Sequence, residues 1–598
     1  MKASREAAPP AAAKPAGGQA PKLAFVGVTA LCLATSLPFW WIWRFGYTSD
    51  HVLSGLMAKS ILTRGERPLF LWMLGYNGIL LESYAVAASF WLFGVGPRIY
   101  YLFTTLCFWT LAVVFYDHVR RRFGQWTGLL SALLFVVSSP RVYFYVMRPQ
   151  PNFTEIFLLG LALMHAATSL TRSLWLGADR SRSRAVWQAA CTGGLLGFGL
   201  YTYQLILFFV GCIGLWLLCP YLQDLPARRA RVAQNWRRLW HLAVGLGAAG
   251  GLALTMAAAA FVASERLALG PAVVGGLFRL GAAAVALGVA GEYGLSRADT
   301  VAKHWRSLAA FVAAGILGYA PSLYFTYVQH GFSRDRLQVA PEPTQAWNNL
   351  QLYWEAQRRF LNAWEGPGAA AVGALVAAAA LAFLWSSIRA LWGVARGRLP
   401  PVQLFDVTPL ALMPLVAIPL FCLAEAASDW KSARWTLPLS LFFALAQARA
   451  VAHGCTFAGV RKALAIGACA CVLAHNASAL ADALSSPEAH EFVGEELVAP
   501  LRQRGITRAY GTYWHCYSVA FFTDEQIIIE PVFNNYSPHY AQEVAQAERI
   551  AFVDDLGPRL RQFPSAVRIN NQSYRKTDAW FGRHSGLVVL EKLPAEGF

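Results

Sequence analysis

Charged side chains are scarce in this sequence. Of 598 residues, 14% are Asp, Glu, Lys or Arg, while 56% are hydrophobic and 22 are Trp. Soluble domains carry about 25% charge, so a soluble globular fold is excluded and a polytopic, mostly α-helical membrane bundle is implied. Acid is scarcer than base, with 33 Asp and Glu against 51 Lys and Arg, a formal excess of +18. That excess does not point to nucleic acid, because the Arg residues sit in short segments between apolar runs, such as "HVRRRFGQ" at 118–125 and "PARRARVAQNWRR" at 226–238, where they orient the chain toward the cytoplasm. A Gly-rich phosphate loop is missing, which argues against an ATP-driven pump. Repeats of about 20–50 residues are missing too. The ten cysteines lie almost all within apolar runs as small hydrophobes, so no disulfide framework is implied; only Cys516 falls in the external part. No Cys/His spacing matches a zinc site and no tight Asp-x-Asp pair occurs outside the spans, so no metal and no cofactor is demanded.

What the chain does have is apolar length. Runs near 23–43, 97–117, 127–147, 152–170, 186–203, 205–221, 241–263, 268–291, 307–328, 368–388, 406–424, 435–452 and 463–481 predict thirteen transmembrane helices, each needing roughly 20 residues. Two places are weak: 186–221 is short for two spans, and Arg279 sits within the eighth run. Residues 1–22, rich in Ala and Pro, read as a disordered cytoplasmic tail and not as a cleavable signal peptide. With the N-terminus inside, an odd count leaves the C-terminus outside. The transmembrane domain is thus 23–481. Beyond it, 482–598 alternates helical and strand-like segments ("ITRAYGTY", "WHCYSVAFFTD", "QIIIEPV", "SPHYAQEVAQAE", "RIAFVDD"), the pattern of a small external α/β domain.

Chemistry is sought in the external segments. The first loop, 44–96, carries two amphipathic stretches. Ser49 is placed to cap a helix with Val52, Leu53, Leu56, Met57 and Ile61 at helical spacing and Gly65 as its stop. A second helix runs to Gly94. Such helices lie along a membrane surface. Asp50 then stands in the first turn, where the helix dipole keeps a carboxylate ionised; it either accepts a proton or simply favours the helix N-terminus, and the residues alone leave both open. Glu82, at the start of the second helix, has the same two readings, and His51 reads as a neighbour. The other long external loop is 328–367.

The stretch "GERPLFLWMLGYNGILLESYAVAASFWLFGVGP" resembles the first-loop signature of GT-C membrane glycosyltransferases of the family 39 and aminoarabinose-transferase-like kind. It supplies Pro68, Phe70, Tyr76, Gly78, Leu81, Glu82, Phe93 and Gly94, preceded by Asp50. "KSARWTLPL" at 431–439 resembles an Arg-Tyr-x-x-Pro segment at the outer end of a late helix, and "AYGTYWHCYSVAFFTDEQIIIEP" a Tyr-Trp-rich passage of the C-terminal domain. Trp435 stands where Tyr is usual, and "LG" precedes Tyr76 where Gly-Gln is expected.

The resemblance implies a GT-C fold and transfer of one sugar, with inversion, from a polyprenyl-phosphate carrier to an acceptor hydroxyl on a glycan, lipid or protein. It places the chain in a bacterial inner membrane with the C-terminal domain periplasmic, in a cell-envelope or lipopolysaccharide pathway. Such chemistry needs a base, for which Asp50 is the candidate with Glu82 beside it, and cations for the departing phosphate. Lys431 and Arg434, three apart on one helical face, fit that need, as does Arg148 in "VMRPQPNFTE"; each is equally a snorkelling cation by type. Tyr76 and Glu155 complete the expected substrate-binding set. A lipid-linked sugar flippase is the alternative from another class, but it should show two similar halves with broken helices; an O-antigen ligase or polymerase would concentrate its chemistry in a late loop.

Overall fold

A computed structural model of the chain describes residues 20–42, 47–72, 77–150, 152–175, 182–223, 298–327, 343–360, 369–422, 434, 436–486, 490–532, 537–569 and 572–593. The N-terminal tail up to residue 19, the apolar runs 241–263 and 268–291 with Arg279, Tyr76, Lys431 and Trp435 lie outside the described residues.

Segments in lipid must pair every backbone group internally, and the apolar runs accordingly become helices. They are α1 (Ala20–Ile42), α4 (Pro97–Phe123), α5 (Gln125–Val136), α6 (Pro140–Met147), α7 (Phe153–Trp175), α8 (Arg182–Thr202), α9 (Ile206–Gln223), α10 (Ala298–Tyr327), α12 (Ala369–Ala395), α13 (Met413–Cys422), α14 (Leu439–Gly454) and α15 (Val460–Ser485). Two helices of the first loop, α2 (Ser49–Arg64) and α3 (Glu82–Phe93), precede α4, and α11 (Pro343–Phe360) lies in the 328–367 loop. Among the described residues five helices are long and apolar enough to cross a membrane, or six if the bent pair α5 and α6 is one span. The expectation of thirteen is met only that far. The run 127–147 is broken by 86° between α5 and α6, because Pro140 can start a helix but cannot continue one. The run 406–424 follows one short 3₁₀ turn, Pro401–Asp406, and opens in another, Pro409–Leu412, each led by a proline, before α13 begins. The run 186–221 does hold two helices, α8 and α9.

Helix α8 packs backbone to backbone on α10. A Cβ built on Gly193 or Gly197 would lie 2.0 Å from the carbonyl oxygen of Phe311 or Gly315, so only glycine permits this approach. Small residues at a crossing are the means by which helices associate in lipid, where no hydrophobic effect separates them.

After α15 come α16 (Glu495–Gln503), β1 (Arg508–Gly511), α17 (Tyr513–Phe522), β2 (Ile528–Pro531), α18 (Pro538–Gln546), β3 (Arg549–Asp555), α19 (Pro558–Arg561), β4 (Ala566–Ile569), β5 (Gln572–Phe581) and β6 (Ser585–Lys592). The sheet runs in the order β2-β1-β3-β6-β5-β4. β1 is parallel to β2 and β3, as expected when helices connect consecutive strands, and β3, β6, β5 and β4 pair antiparallel.

This domain is clamped to the first loop. Lys59, buried on α2, reaches Asp524 at 2.7 Å and Glu525 at 3.0 Å, and Arg64 adds a 3.5 Å contact to Glu525. Both acids stand in the left-handed region, φ 54° and 61°. Holding two consecutive non-glycine residues there costs energy, and the turn aims both carboxylates at one ammonium. His539 adds a 2.8 Å contact to Glu66, and the Val493 amide donates to the Tyr47 carbonyl at 2.9 Å. Helix α2 is therefore no membrane-surface helix in the expected sense. Every residue from Ser49 to Ser60 except Asp50 is buried, polar positions included, because α17 covers the face that water or headgroups were expected to take.

Candidate active site

The start of α2 is fixed by Thr48, one residue before the expected Ser49. The His51 Nδ1 lies 3.0 Å from the Thr48 amide and 2.9 Å from its hydroxyl, while the His51 amide donates to the Thr48 carbonyl at 3.1 Å. Three donors of the first turn are thereby managed locally. Gly65 ends the helix as its sequence position implies, with φ 68° and ψ 22°. Ser49, freed from capping, turns to the α/β domain. Its hydroxyl donates to the Tyr513 carbonyl and accepts from the Tyr517 amide at 3.0 Å. These are the two groups that a turn of helix would pair, so Ser49 is stitched into the first turn of α17.

That stitch sets Asp50. Its Oδ1 accepts the phenolic proton of Tyr513, and its Oδ2 lies 4.0 Å from Nη1 of Arg434. The two side chains are 30% and 28% exposed, enough for a substrate to reach both. Arg434 sits on the turn that leads into α14, where the Leu437 amide donates to its carbonyl at 3.3 Å. Two residues on, Thr436 accepts a 2.8 Å hydrogen bond from the Gln357 amide of α11. Thr436 also lines a small cavity of about 50 Å³, with Ser139, Val376, Phe443, Val472 and Asn476 among its other walls.

His51 lies in the field of Arg148 and of Arg434. Burial first, then these two guanidiniums, hold its pKa well below that of a free imidazole. The ring is therefore neutral, in keeping with its Nδ1 accepting from the Thr48 amide. Arg148 follows α6, its guanidinium 5.1 Å from the Phe144 ring centre. Two cations thus face one neutral imidazole at the base of Asp50.

A second polar group lies deeper. The Glu82 carboxylate, 1% exposed, accepts from the Asn152 amide at 3.1 Å. Burial raises its pKa, opposed by the Ser54 hydroxyl and by that amide. Asn152 has φ 67°, and among the described residues its side-chain oxygen and nitrogen, Gln150 Oε1 and Glu155 Oε2 have no protein partner. Of the sequence-derived residues, then, the structure brings Asp50 to Arg434 and Glu82 to the segment carrying Glu155. It places Arg148 where its field reaches His51, while Tyr76 and Lys431 lie outside the described residues. The first-loop motif has a steric meaning at Gly78, where a Cβ would lie 2.5 Å from the Tyr201 ring. Missed by sequence reasoning were Tyr513 and the capping role of His51. The Tyr-Trp passage that holds Tyr513 was visible, but contact across 463 residues of sequence has no local signal.

Among solved structures, ArnT from Cupriavidus metallidurans bound to undecaprenyl phosphate superposes over 96% of this chain and 98% of its own, with TM-score 0.52 and 12% identity. The chain has the fold of ArnT. The GT-C resemblance drawn from the first-loop residues is met at the level of the whole architecture. ArnT in its apo state aligns over 94% of this chain and 98% of its own at TM-score 0.36 and 15% identity. The Archaeoglobus fulgidus oligosaccharyltransferase, solved with zinc and sulfate, aligns over 89% of this chain and 68% of its own at 0.46 and 12%. No family model and no curated protein matches the sequence.

Proposed function

We propose that this chain is an integral membrane glycosyltransferase that moves a single sugar from a polyprenyl-phosphate carrier to an acceptor hydroxyl, with inversion, at the external face of a bacterial inner membrane. One observation carries the reading: a partly exposed carboxylate and a guanidinium, brought from residues 50 and 434 to within 4.0 Å of each other. The likeness in fold to a protein solved with undecaprenyl phosphate supports the class of donor.

The chemistry follows from those two groups. The acceptor hydroxyl gives its proton to Asp50 as its oxygen attacks the anomeric carbon, and the bond from that carbon to the phosphate oxygen breaks. The donor phosphate is a diester with one negative charge, and the product is a monoester with a second. Arg434, with Arg148 and Lys431 as further cations, therefore meets more charge in the transition state than in the ground state, which is the condition for acceleration. Donor binding draws Arg434 toward phosphate and leaves Asp50 Oδ2 open to the acceptor. The buried polar atoms around Glu82, Asn152, Gln150 and Glu155 suit the hydroxyls of a sugar, Tyr76 of the first-loop motif is a further candidate for binding it, and no metal enters the scheme.

The test is a deletion strain complemented with wild type, Asp50→Asn or Arg434→Ala, its envelope glycans and lipids read by mass spectrometry. Wild type restores one defined sugar. Asp50→Asn should lower transfer by roughly 10²- to 10⁴-fold, and the purified Arg434→Ala protein should bind undecaprenyl phosphate more weakly. A sugar still fully attached by Asp50→Asn overturns the assignment of the base.

A further inference from the structure

We infer that Tyr513 of the C-terminal α/β domain is a positioning residue for Asp50, so that the carboxylate acquires its working orientation only when that domain is docked on the first loop. The inference rests on the reading of Asp50 as the base.

Asp50 has two oxygens, and each meets a different part of the chain. Oδ1 accepts the Tyr513 phenol; Oδ2 faces Arg434 at 4.0 Å. A donor on one oxygen fixes the rotation of the carboxylate plane, and the proton of an acceptor must then arrive at the other. Among the described residues, no side chain of the first loop makes this bond. It arrives from residue 513, and its placement depends on a chain of contacts each of which crosses between the domain and the first loop.

The first is the Ser49 hydroxyl, bridging the Tyr513 carbonyl and the Tyr517 amide, which seats the opening turn of α17 one residue from Asp50. The second is the approach of α17 to α2, so close that a Cβ on Gly55 would lie 2.7 Å from the Phe521 ring. The third is the clamp at the far end of α2, where Lys59 meets Asp524 and Glu525 just beyond the C-terminus of α17. The two helices are thus held together at both ends, and the Tyr513 to Asp50 bond is the member of this set that touches a candidate reacting group. A purely structural tyrosine would bury its hydroxyl against backbone; this one donates to the carboxylate that faces the cation.

The experiment reads Asp50 directly and needs no substrate. The full chain in detergent is treated with a water-soluble carbodiimide and glycine ethyl ester at one fixed pH, and the extent of Asp50 modification is quantified by mass spectrometry. Tyr513→Phe removes one oxygen and with it the donor on Oδ1, and it should raise the extent of modification severalfold while thermal melting stays in place. Ser49→Ala, which unseats the same turn without touching the phenol, should raise it by less, and it decides the matter if Tyr513→Phe yields no folded protein. Lys59→Met loosens the docking at the other end of α2 and should also raise it. Unchanged modification in both Tyr513→Phe and Ser49→Ala overturns the inference, as does a Tyr513→Phe, Lys59→Met double variant modified well beyond Tyr513→Phe alone, which would show that docking acts on Asp50 by a route other than the phenol. Full sugar transfer by Asp50→Asn would instead sink the reading of the base, whatever the modification shows, so the two failures are separate results.

Discussion

Glu82 and Glu530 are both 1% exposed, and the difference between them lies in what their oxygens meet. Glu82 accepts from an amide on a residue held at positive φ. Its carboxylate stabilises a turn that Asn152 adopts at a cost, and that turn sets the direction from Arg148 into α7. Glu82→Gln keeps an acceptor at the same reach and should preserve folding. Glu82→Ala leaves the Asn152 amide buried without a partner and should lower stability by about 1–3 kcal/mol, read as thermal unfolding of the purified protein in detergent. Equal melting of the two variants would remove Glu82 from the support of this turn. Glu530, on β2, has neither oxygen hydrogen-bonded, and burial pushes its pKa up to about 8. The sign follows from linkage: between the unfolded value of 4.5 and about 8 the folded state holds the extra proton, so stability falls as pH rises through that window. Glu530→Gln should therefore melt like wild type in acid and several degrees higher above pH 8. The same melting difference at every pH would show that Glu530 stays ionised when folded.

At the scale of the elements, the sequence was most legible where one local rule acts alone. Gly65 stops α2 and Gly94 follows α3, as their positions imply, because a helix C-terminus is written in the residue that can adopt the turn. The strands 508–511, 528–531 and 549–555 fall within the segments read as strands. The antiparallel meander of β4, β5 and β6 was not read, because six of the ten residues of β5 are charged or polar and the strand shows no clean alternation. Legibility failed wherever two distant segments compete for one group. Ser49 has the side chain of a cap and the position of one, yet α17 takes its hydroxyl and Thr48 with His51 caps instead. Lys59, a cation on the same helix, is a buried anchor for two acids 465 and more residues on, a pairing with no local signal. Asp50 and Arg434 were each recognisable by type; that they stand 4.0 Å apart is a property of the assembled bundle.

At the scale of the whole molecule, the arrangement has a consequence for topology. The first loop and the α/β domain share a network of buried contacts, so both must stand on the same side of the membrane, whichever side that is. The Arg-rich last turn of α4, where Arg120 and Arg121 both engage Asp117, lies one span-length away at the other end of that helix. Lys and Arg favour cytoplasmic turns, so this end should face inward and the candidate active site outward. Single cysteines test the assignment in intact cells with a membrane-impermeant maleimide, in a Cys471→Ser background because Cys471 is exposed on α15. Arg67→Cys reports on the first loop from an exposed position next to Glu66, whose own side chain is committed to Trp72 and His539. Gln546→Cys reports on the α/β domain and Arg121→Cys on the last turn of α4. The expected result is labelling at 67 and 546 without permeabilisation, and at 121 only after it. Labelling at 67 without 546 contradicts the shared interface itself. Labelling at 121 alone preserves the interface but reverses the molecule, which puts Asp50 on the cytoplasmic side and removes the reading of an external transferase while leaving the geometry of the carboxylate and its cation intact.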